Sequence, residues 1–337
     1  MYFYIGLTQQ CAFWQTFINM TNSDNTKNRL DNAAKAAWLY FIAGSTQDEI
    51  ASELNISRPT AQRLLSLARS HNLITFRLGH PVAACMDLKA NLRRKYNLRF
   101  CEVVPDNPKD STSTNGVAVC AAAYIEEVLS RPNPIVMALG SGRTLRAAVQ
   151  QIRSMHCAHH TLISLVSIVA SDGSASPFDA LSHLADLTKA RSYPMFMPVL
   201  AESPEERVLL INNQLVRRLH GLAANADVTI VGVGQMDFEA QQFIDGFISR
   251  EELVDLIRAG AVGEIVGWAY DSLGRILDTK TNARITSAPL RPEGDRLVIG
   301  VAVGQAKVRA INSALVGGLL TGLITDAATS RSLLDLT

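Results

Sequence analysis

The chain has 337 residues, of which 47% are hydrophobic and 19% charged, a composition that excludes a disordered or fibrous protein and allows two domains. The net charge of +1 hides an asymmetry, because residues 24–100 carry 12 Lys and Arg against 6 Asp and Glu, whereas residues 101–337 carry 20 against 25. A basic part joined to an acidic part indicates a nucleic-acid-binding module attached to a body with another role.

The N-terminal stretch does not predict targeting. Residues 1–20 are apolar and aromatic, but they contain no Lys or Arg and are interrupted by three Gln residues. A secretion signal needs a basic start and a membrane helix needs a continuous apolar run. We expect residues 1–23 to be a disordered extension or an artefact of an upstream translation start, and the protein to be cytoplasmic with no membrane contact. Five scattered cysteines without a C-x-x-C fit a reducing compartment.

The segment from residue 31 to residue 77 predicts helix, helix, tight turn, helix and a short strand. Apolar residues at helical spacing run up to Gly44, which ends the first helix. Thr46 and Glu49 predict a capping box that starts the second helix.

A turn of about three residues separates the second helix from the third. Asn55 stands where such a turn needs a left-handed residue, Ser57 caps the next helix, and Ala51 lets two helices cross closely. The outward side of the third helix is polar and basic, which is typical of a helix-turn-helix, with residues 73–78 as a small wing. The alternative is an ordinary helical pair with a solvated face. We expect base or phosphate contacts from Thr46, Gln47, Ser57, Arg58, Thr60, Gln62 and Arg63.

From about residue 87 the chain alternates amphipathic helices with uniformly apolar strands, which predicts a parallel, doubly wound α/β sheet. Strands are predicted at residues 100–106, 133–140, 160–170, 192–201, 227–234 and 296–304, with a hairpin at 261–277. Helices are predicted at residues 86–98, 111–130, 144–153, 176–190, 203–226, 249–260 and 305–320. We assign residues 24–85 to a winged helix-turn-helix domain and residues 86–337 to an effector-binding and oligomerisation domain.

Glycine-rich loops follow several of these strands, and ligands of such sheets bind at the carboxyl ends of strands. The apolar run of residues 134–139 ends in Gly-Ser-Gly and turns at once into a helix, a pattern that suits phosphate. The loops lack the G-x-x-x-x-G-K-[ST] of an NTPase and the third glycine of a dinucleotide fingerprint, and no G-x-S-x-G nucleophile elbow occurs. A small phosphate ester therefore fits better than a nucleotide.

One His-rich stretch, with His156, Cys157, His159 and His160, could ligate a metal. It lies in a polar link without a nearby carboxylate to complete the coordination, so we expect neither a metal nor a cofactor.

Several segments, in this order and spacing, resemble the SorC family of sugar-responsive bacterial transcriptional regulators, which are of DeoR/SorC type. They are STQDEIASELNISRPTAQRLLSLAR, ALGSGRTLRAAV, VSIVASDGSASPFDALSHLADLT, VGVGQMD and the segment from GVAVGQAK to the C-terminus. The resemblance implies a winged helix-turn-helix followed by a Rossmann-like effector domain, similar to glucosamine-phosphate deaminase and ribose-phosphate isomerase. It also implies assembly as a tetramer and a phosphorylated sugar or polyol as effector.

The same resemblance implies site residues. A phosphate loop is implied for Gly140, Ser141, Gly142, Arg143 and Thr144. Gln235 resembles a contact after the central strand, Asp271 an acidic residue that faces sugar hydroxyls, and Lys307 the cation that faces the phosphate.

These features predict a DNA-binding regulator of a carbohydrate or polyol catabolic operon that is controlled allosterically by a sugar or sugar phosphate, and not an enzyme. A homodimer or homotetramer with a palindromic operator is expected, because symmetric subunits present symmetric DNA-reading helices. One alternative is a sugar-phosphate isomerase or deaminase, with Asp172, Asp237 or Asp271 as its general base. Another is a scaffold whose basic part binds protein.

Overall fold

The computed structural model describes residues 28–71, 73–74, 83–107, 110, 113–167, 176, 179–290 and 296–336. The chain forms two compact units, which divide between Leu78 and Gly79. A domain boundary after residue 85 would fall inside a helix that begins at Ala83. The predicted extension at residues 1–23 and all but the first two residues of the predicted wing lie outside the described residues.

The described part of the N-terminal unit contains the predicted three helices: α1 at residues 28–41, α2 (Gln47–Glu53) and α3 (Arg58–Ser70). The predicted capping box between Thr46 and Glu49 is confirmed. Asn55 has φ +51°, as the left-handed turn position requires, and the Ser57 side chain accepts a hydrogen bond from the Thr60 backbone.

Small and branched apolar residues from all three helices form the core of this unit. Ile50 of α2 is fully buried, and Ala51 beside it is almost so. On α3 the predicted buried face is confirmed for Ala61, Leu64, Leu65 and Ala68. The opposite face of α3 is therefore left to solvent.

The C-terminal unit contains a seven-stranded sheet. Its strands are β1 (Phe100–Val104), β2 (Val136–Leu139), β3 (Thr161–Ser167), β4 (Arg191–Met195), β5 (Val228–Val231), β9 (Leu297–Val301) and β10 (Gly322–Asp326). Their order is β1-β10-β9-β5-β2-β3-β4, and every neighbouring pair is parallel. The predicted parallel α/β fold is thus confirmed.

A second, antiparallel sheet consists of β6 (Gly234–Gln235), β7 (Gly263–Ile265) and β8 (Trp268–Tyr270). The last two strands are the predicted hairpin. Its two turn residues, Val266 and Gly267, both have positive φ, at +46° and +97°. This is the backbone that a two-residue hairpin needs to follow the twist of its strands.

The helices of the C-terminal unit are α4 (Ala83–Tyr96), α5 (Asn115–Leu129), α6 (Arg143–Val149), α7 (Leu181–Thr188), α8 (Pro204–Asn212), α9 (Gln214–Ala224), α10 (Gln241–Ile244), α11 (Arg250–Arg258), α12 (Val308–Val316) and α13 (Ala327–Asp335). Short 3₁₀ turns span Asn282–Arg284 and Gln305–Lys307. Apolar residues of α5, α6 and α7 form one core cluster on the large sheet, whereas those of α4, α9, α12 and α13 belong to another. Successive strand residues such as Met137 and Ala138 belong to different clusters, so helices cover both faces.

The predicted single helix at residues 203–226 is wrong, because the chain forms α8 and α9 instead. Asn213 has an extended ψ of 134°, and its side chain accepts a hydrogen bond from the Leu215 backbone at 2.9 Å. An Asn side chain that caps the next helix in this way competes with helix continuation. The predicted strand at residues 192–201 is shorter than expected, because β4 ends at Met195, and β10 and α13 were not predicted. Within the described ranges, no helix combines the length and the apolarity needed to cross a bilayer.

Candidate functional site

A cavity of about 250 Å³ lies where the loops after β2 and β5 meet. Between these strands the order of the sheet reverses, since β3 and β4 follow on one side and β9 and β10 on the other. Crevices at such points are the usual ligand sites of open α/β sheets. The predicted effector residues that line the cavity are Ser141, Gly142, Arg143, Thr144, Gln235 and Lys307.

The loop between β2 and α6 has a backbone that only glycine adopts readily. Gly142 has φ +127° and directly precedes α6, with open space beside its α-carbon. Gly140 does not line the cavity, but a β-carbon there would lie 3.2 Å from Val266 Cγ1 and 3.4 Å from Val231 Cα. Gly140 therefore lets the loop pass close to the hairpin.

Asp271 does not line this cavity. Its carboxylate accepts hydrogen bonds from the Leu273 and Arg275 backbone at 2.9 Å and forms an ion pair with the Arg275 guanidinium at 2.7 Å. Partial burial opposes ionisation, but these hydrogen bonds outweigh it and lower the pKa of Asp271. The side chain thus closes the turn after β8.

Glu264 of β7 lines the cavity and was not singled out from the sequence. Its Oε2 accepts hydrogen bonds from the Gly267 backbone at 2.9 Å and from Gln242 Nε2 at 3.3 Å. Burial raises the pKa of this carboxyl, and the Gly267 N–H and the charge of Lys307 oppose that rise. A charged residue inside the apolar hairpin pattern is the one sequence signal that could have identified it.

Lys307 stands at the start of α12 and lines the same cavity. Burial lowers the pKa of its amine, Glu264 counteracts this effect, and Arg143 reinforces it. Within the described part of the chain the amine makes no hydrogen bond or ion pair. A half-buried cation that forms no direct ion pair within the described residues can bind an anion.

Arg143 supplies a second cation at the edge of the cavity. Its Nη2 lies 3.2 Å from Asp245 Oδ1, which also accepts a hydrogen bond from Gln241 Nε2 at 2.8 Å. The Arg143 side chain is 53% exposed, so this ion pair holds the guanidinium at the cavity edge without burying it.

The predicted DNA-contacting residues lie on the outward face of α3 and at the starts of α2 and α3. Gln62 and Arg63 are exposed, and Arg58 forms an exposed ion pair with Asp48 of α2 at 3.3 Å. Three of the predicted contact residues, Thr46, Ser57 and Thr60, also use their hydroxyls within the first turns of α2 and α3. Thr46 Oγ1 donates a hydrogen bond to Glu49, and Ser57 Oγ lies 2.9 Å from Thr60 Oγ1. Gln47 is half-buried in the first turn of α2.

The family model for the sugar-binding domain matches residues 80–335. The chain is 30% identical to the erythritol catabolism regulatory protein EryD of Brucella abortus, over 90% of this chain and 96% of that protein. The chain belongs to the SorC family of sugar-binding transcriptional regulators. It is also 27% identical to the transcriptional regulator LsrR of Klebsiella pneumoniae, over 90% of this chain and 92% of that protein.

The SorC-family fold is seen in solved structures as well. The full-length sorbitol operon regulator SorC of Klebsiella pneumoniae superposes with a TM-score of 0.67 at 23% identity, covering 91% of this chain and all of that one. The predicted family, fold and regulatory role are thereby confirmed, and the chain is a transcriptional regulator rather than a sugar-phosphate isomerase or deaminase.

The His-rich stretch has a structural role in this member of the SorC family. His160 is buried, its Nδ1 accepts a hydrogen bond from the Ile135 backbone at 3.2 Å, and its Nε2 lies 3.0 Å from Leu129 O. Burial lowers the pKa of the imidazole. Both ring nitrogens are therefore engaged by the backbone on either side of the link to β2.

Proposed function

We propose that the cavity binds a phosphorylated sugar or polyol and that its occupancy changes the affinity of α3 for the operator of a carbohydrate or polyol catabolic operon. The observation that carries this proposal is the half-buried Lys307 amine, which forms no hydrogen bond or ion pair within the described residues and lines the same cavity as the glycine-rich loop before α6. A phosphate would supply a negative charge in direct contact with it.

The rest of the cavity lining suits the hydroxyl groups of a sugar or polyol. Gln235, Gln242 and Glu264 offer amide and carboxylate groups, which can donate hydrogen bonds to sugar hydroxyls and accept them. Arg143 and Lys307 add two cations, and charge-assisted hydrogen bonds to phosphate are the stronger kind. A volume of about 250 Å³ favours a small metabolite over a nucleotide.

Two relatives support a polyol. The names of EryD and SorC refer to erythritol catabolism and the sorbitol operon. The chemistry common to both is an acyclic chain of hydroxyl groups, which the amide-rich part of the cavity fits.

On the DNA side, we propose that α3 enters the major groove of a palindromic operator in the cytoplasm, with Gln62 and Arg63 at base edges. The expected homo-oligomer is supported by α8, which buries none of its residues within the described unit, and by Leu209, whose side chain is 75% exposed. A coupling free energy of about 1–3 kcal/mol would change operator affinity roughly 5-fold to 150-fold.

A titration of labelled DNA tests the proposal. The full chain is bound to the DNA upstream of its own gene, with no addition and with erythritol, sorbitol, their terminal phosphates, fructose 6-phosphate or inorganic phosphate. We expect at least one phosphorylated compound to shift the DNA dissociation constant at least 5-fold, while the chain leaves that compound chemically unchanged. Equal DNA affinity with all six compounds would contradict the proposal.

A further inference from the structure

The turn that carries Lys307 leads directly into α12 and is fastened to α13. Lys307 N donates to Gly304 O at 3.0 Å, and Gly304 N donates to Thr329 Oγ1 of α13 at 2.9 Å. A second link joins Ser332 Oγ of α13 to Gln305 Oε1 at 2.9 Å. These bonds fasten the turn that carries Lys307 to α13, and the same turn continues directly into α12.

The hairpin that carries Glu264 also packs directly on α12. A β-carbon on Gly263 would lie 2.6 Å from Ala310 Cβ, and Tyr270 Oη donates to Ala310 O at 3.1 Å. The first half of α12 is therefore in contact with two walls of the cavity. Packed interiors transmit such displacements because they contain little free volume.

Further along, one hydroxyl of α4 lies within hydrogen-bond distance of both α12 and α13. Tyr96 Oη lies 2.7 Å from Asn312 Oδ1 of α12 and 3.0 Å from Leu333 O of α13. Tyr has one hydroxyl proton, so it can donate fully to only one of these acceptors at a time. The relative position of the two helices thus decides which of them accepts the Tyr96 proton.

The neighbouring residue ties α4 to the end of α13. Lys95 Nζ donates to Leu333 O at 2.9 Å, to Leu334 O at 3.3 Å and to Leu336 O. A cation at the carboxyl end of a helix is favourable, because the terminal carbonyls have no partners within the helix. Along the chain, α4 is the first described element after the division at Leu78, and its 14 residues span about 21 Å.

We propose that Tyr96 and Asn312 are positioning residues that couple occupancy of the Lys307 cavity to α4, the helix through which the C-terminal unit continues from the DNA-binding unit. The inference rests on the proposed function, since it requires a ligand in that cavity. An anion on Lys307 shifts the Gln305–Lys307 turn, α12 and α13 follow, and the Tyr96 hydroxyl passes the change to α4.

The test compares the full chain with Tyr96→Phe, Asn312→Ala and a matched control, Tyr124→Phe. The control also removes one hydroxyl from a buried tyrosine, and that hydroxyl has no hydrogen bond within the described part of the chain. For each protein, DNA dissociation constants are measured with and without each of the six compounds named above. Binding of the compounds without DNA is measured separately, by the shift in melting temperature.

We expect Tyr96→Phe and Asn312→Ala to bind the active compound with unchanged affinity but to reduce the ratio of the two DNA dissociation constants roughly 2-fold to 10-fold. Tyr124→Phe keeps the full ratio. An unchanged ratio in both variants, or a parallel loss of compound binding, would overturn the inference while leaving the proposed function intact. If no compound changes the DNA dissociation constant of the unsubstituted chain, the proposed function fails and the inference fails with it.

Discussion

Gly234 and Glu264 are paired across the small antiparallel sheet, and the glycine leaves the space that the carboxylate occupies. A β-carbon on Gly234 would lie 2.3 Å from Glu264 Oε1 and 3.0 Å from its Cγ and Cδ. The Gly267 N–H and Gln242 hold the carboxylate from the other side. Because Gly234 has no side chain, the Glu264 carboxylate can occupy this part of the cavity wall.

Gly234→Ala should displace Glu264 and disturb the cavity. We expect a loss of about 1–3 kcal/mol in the free energy of unfolding, as for other overpacked sites, together with weaker binding of the active sugar phosphate. Urea denaturation and calorimetric titration measure the two effects. The control is Gly221→Ala, at an exposed position of α9, where the added methyl group meets no atom within 4 Å and should raise stability by roughly 0.5–1 kcal/mol. Equal behaviour of the two variants would argue against the close pairing.

Glu264 should make the ligand-free protein less stable as the pH rises. Its folded-state pKa is raised above the ordinary value of 4.5, chiefly by burial. The stability it contributes is thus fully present below pH 4.5 and is lost as the pH rises through the folded-state value. Glu264→Gln removes the buried charge but keeps an acceptor for Gly267 N–H.

Melting temperatures between pH 4 and pH 8 check this expectation. The Gln variant should melt above the unsubstituted chain at pH 8 and converge with it near pH 4. Glu127→Gln, at an exposed position on α5, controls for the change of net charge. The difference in melting temperature between Glu264→Gln and the unsubstituted chain should thus grow from pH 4 to pH 8. If the variant instead falls below the unsubstituted chain as the pH rises, the raised pKa of Glu264 is refuted.

Val266 is strained where it lines the cavity. A β-branched residue at φ +46° is unfavourable by roughly 1–2 kcal/mol, whereas Asn adopts this conformation readily and Asn-Gly is the preferred pair in such hairpins. Val266→Asn should therefore raise the free energy of unfolding by about 1 kcal/mol. Val266→Ala keeps the strain and removes methyl groups that pack against the core, so it should give no gain. If Val266→Asn lowers the free energy of unfolding as much as Val266→Ala does, the packing of the Val266 side chain outweighs the backbone strain at this position.

Arg63→Ala tests the DNA-reading face of α3. Loss of a bidentate base contact should reduce discrimination between operator and unrelated DNA by about 1–3 kcal/mol. Loss of a phosphate contact would instead weaken binding to operator and to unrelated DNA equally. It would also lower the slope of log affinity against log salt concentration by about one. Fluorescence anisotropy at several salt concentrations separates the two. Arg258→Ala, at a 77% exposed position on α11, carries the same charge change and should alter neither quantity.

The DNA-binding unit was largely predictable because local rules govern it. The capping box at Thr46, the left-handed Asn55 and the cap at Ser57 each depend on residues within four positions in the chain. The apolar spacing on α3 likewise gave its buried face. Local rules also predicted most strands and most helices of the larger unit.

Features that depend on contacts distant in sequence were not predictable in the same way. The strand β10 is specified by its place between β1 and β9. The break at Asn213 is different, because its side-chain cap is local but lies within a run of good helical periodicity that hides it. Glu264 lines the cavity because β7 of the hairpin pairs with β6, which directly follows the loop after β5. Asp271, directly after β8, instead accepts hydrogen bonds from the Leu273 and Arg275 backbone.

The most direct test of the central idea, that Lys307 holds the phosphate of the effector, is calorimetric titration with phosphorylated and unphosphorylated forms of one polyol. For the unsubstituted chain and for Lys280→Ala, an exposed lysine on the same unit, we expect the phosphorylated form to bind at least 100-fold more tightly. Lys307→Ala should remove most of that preference while leaving DNA binding intact. Equal affinity of the unsubstituted chain for both forms, or a full preference in Lys307→Ala, would contradict the account.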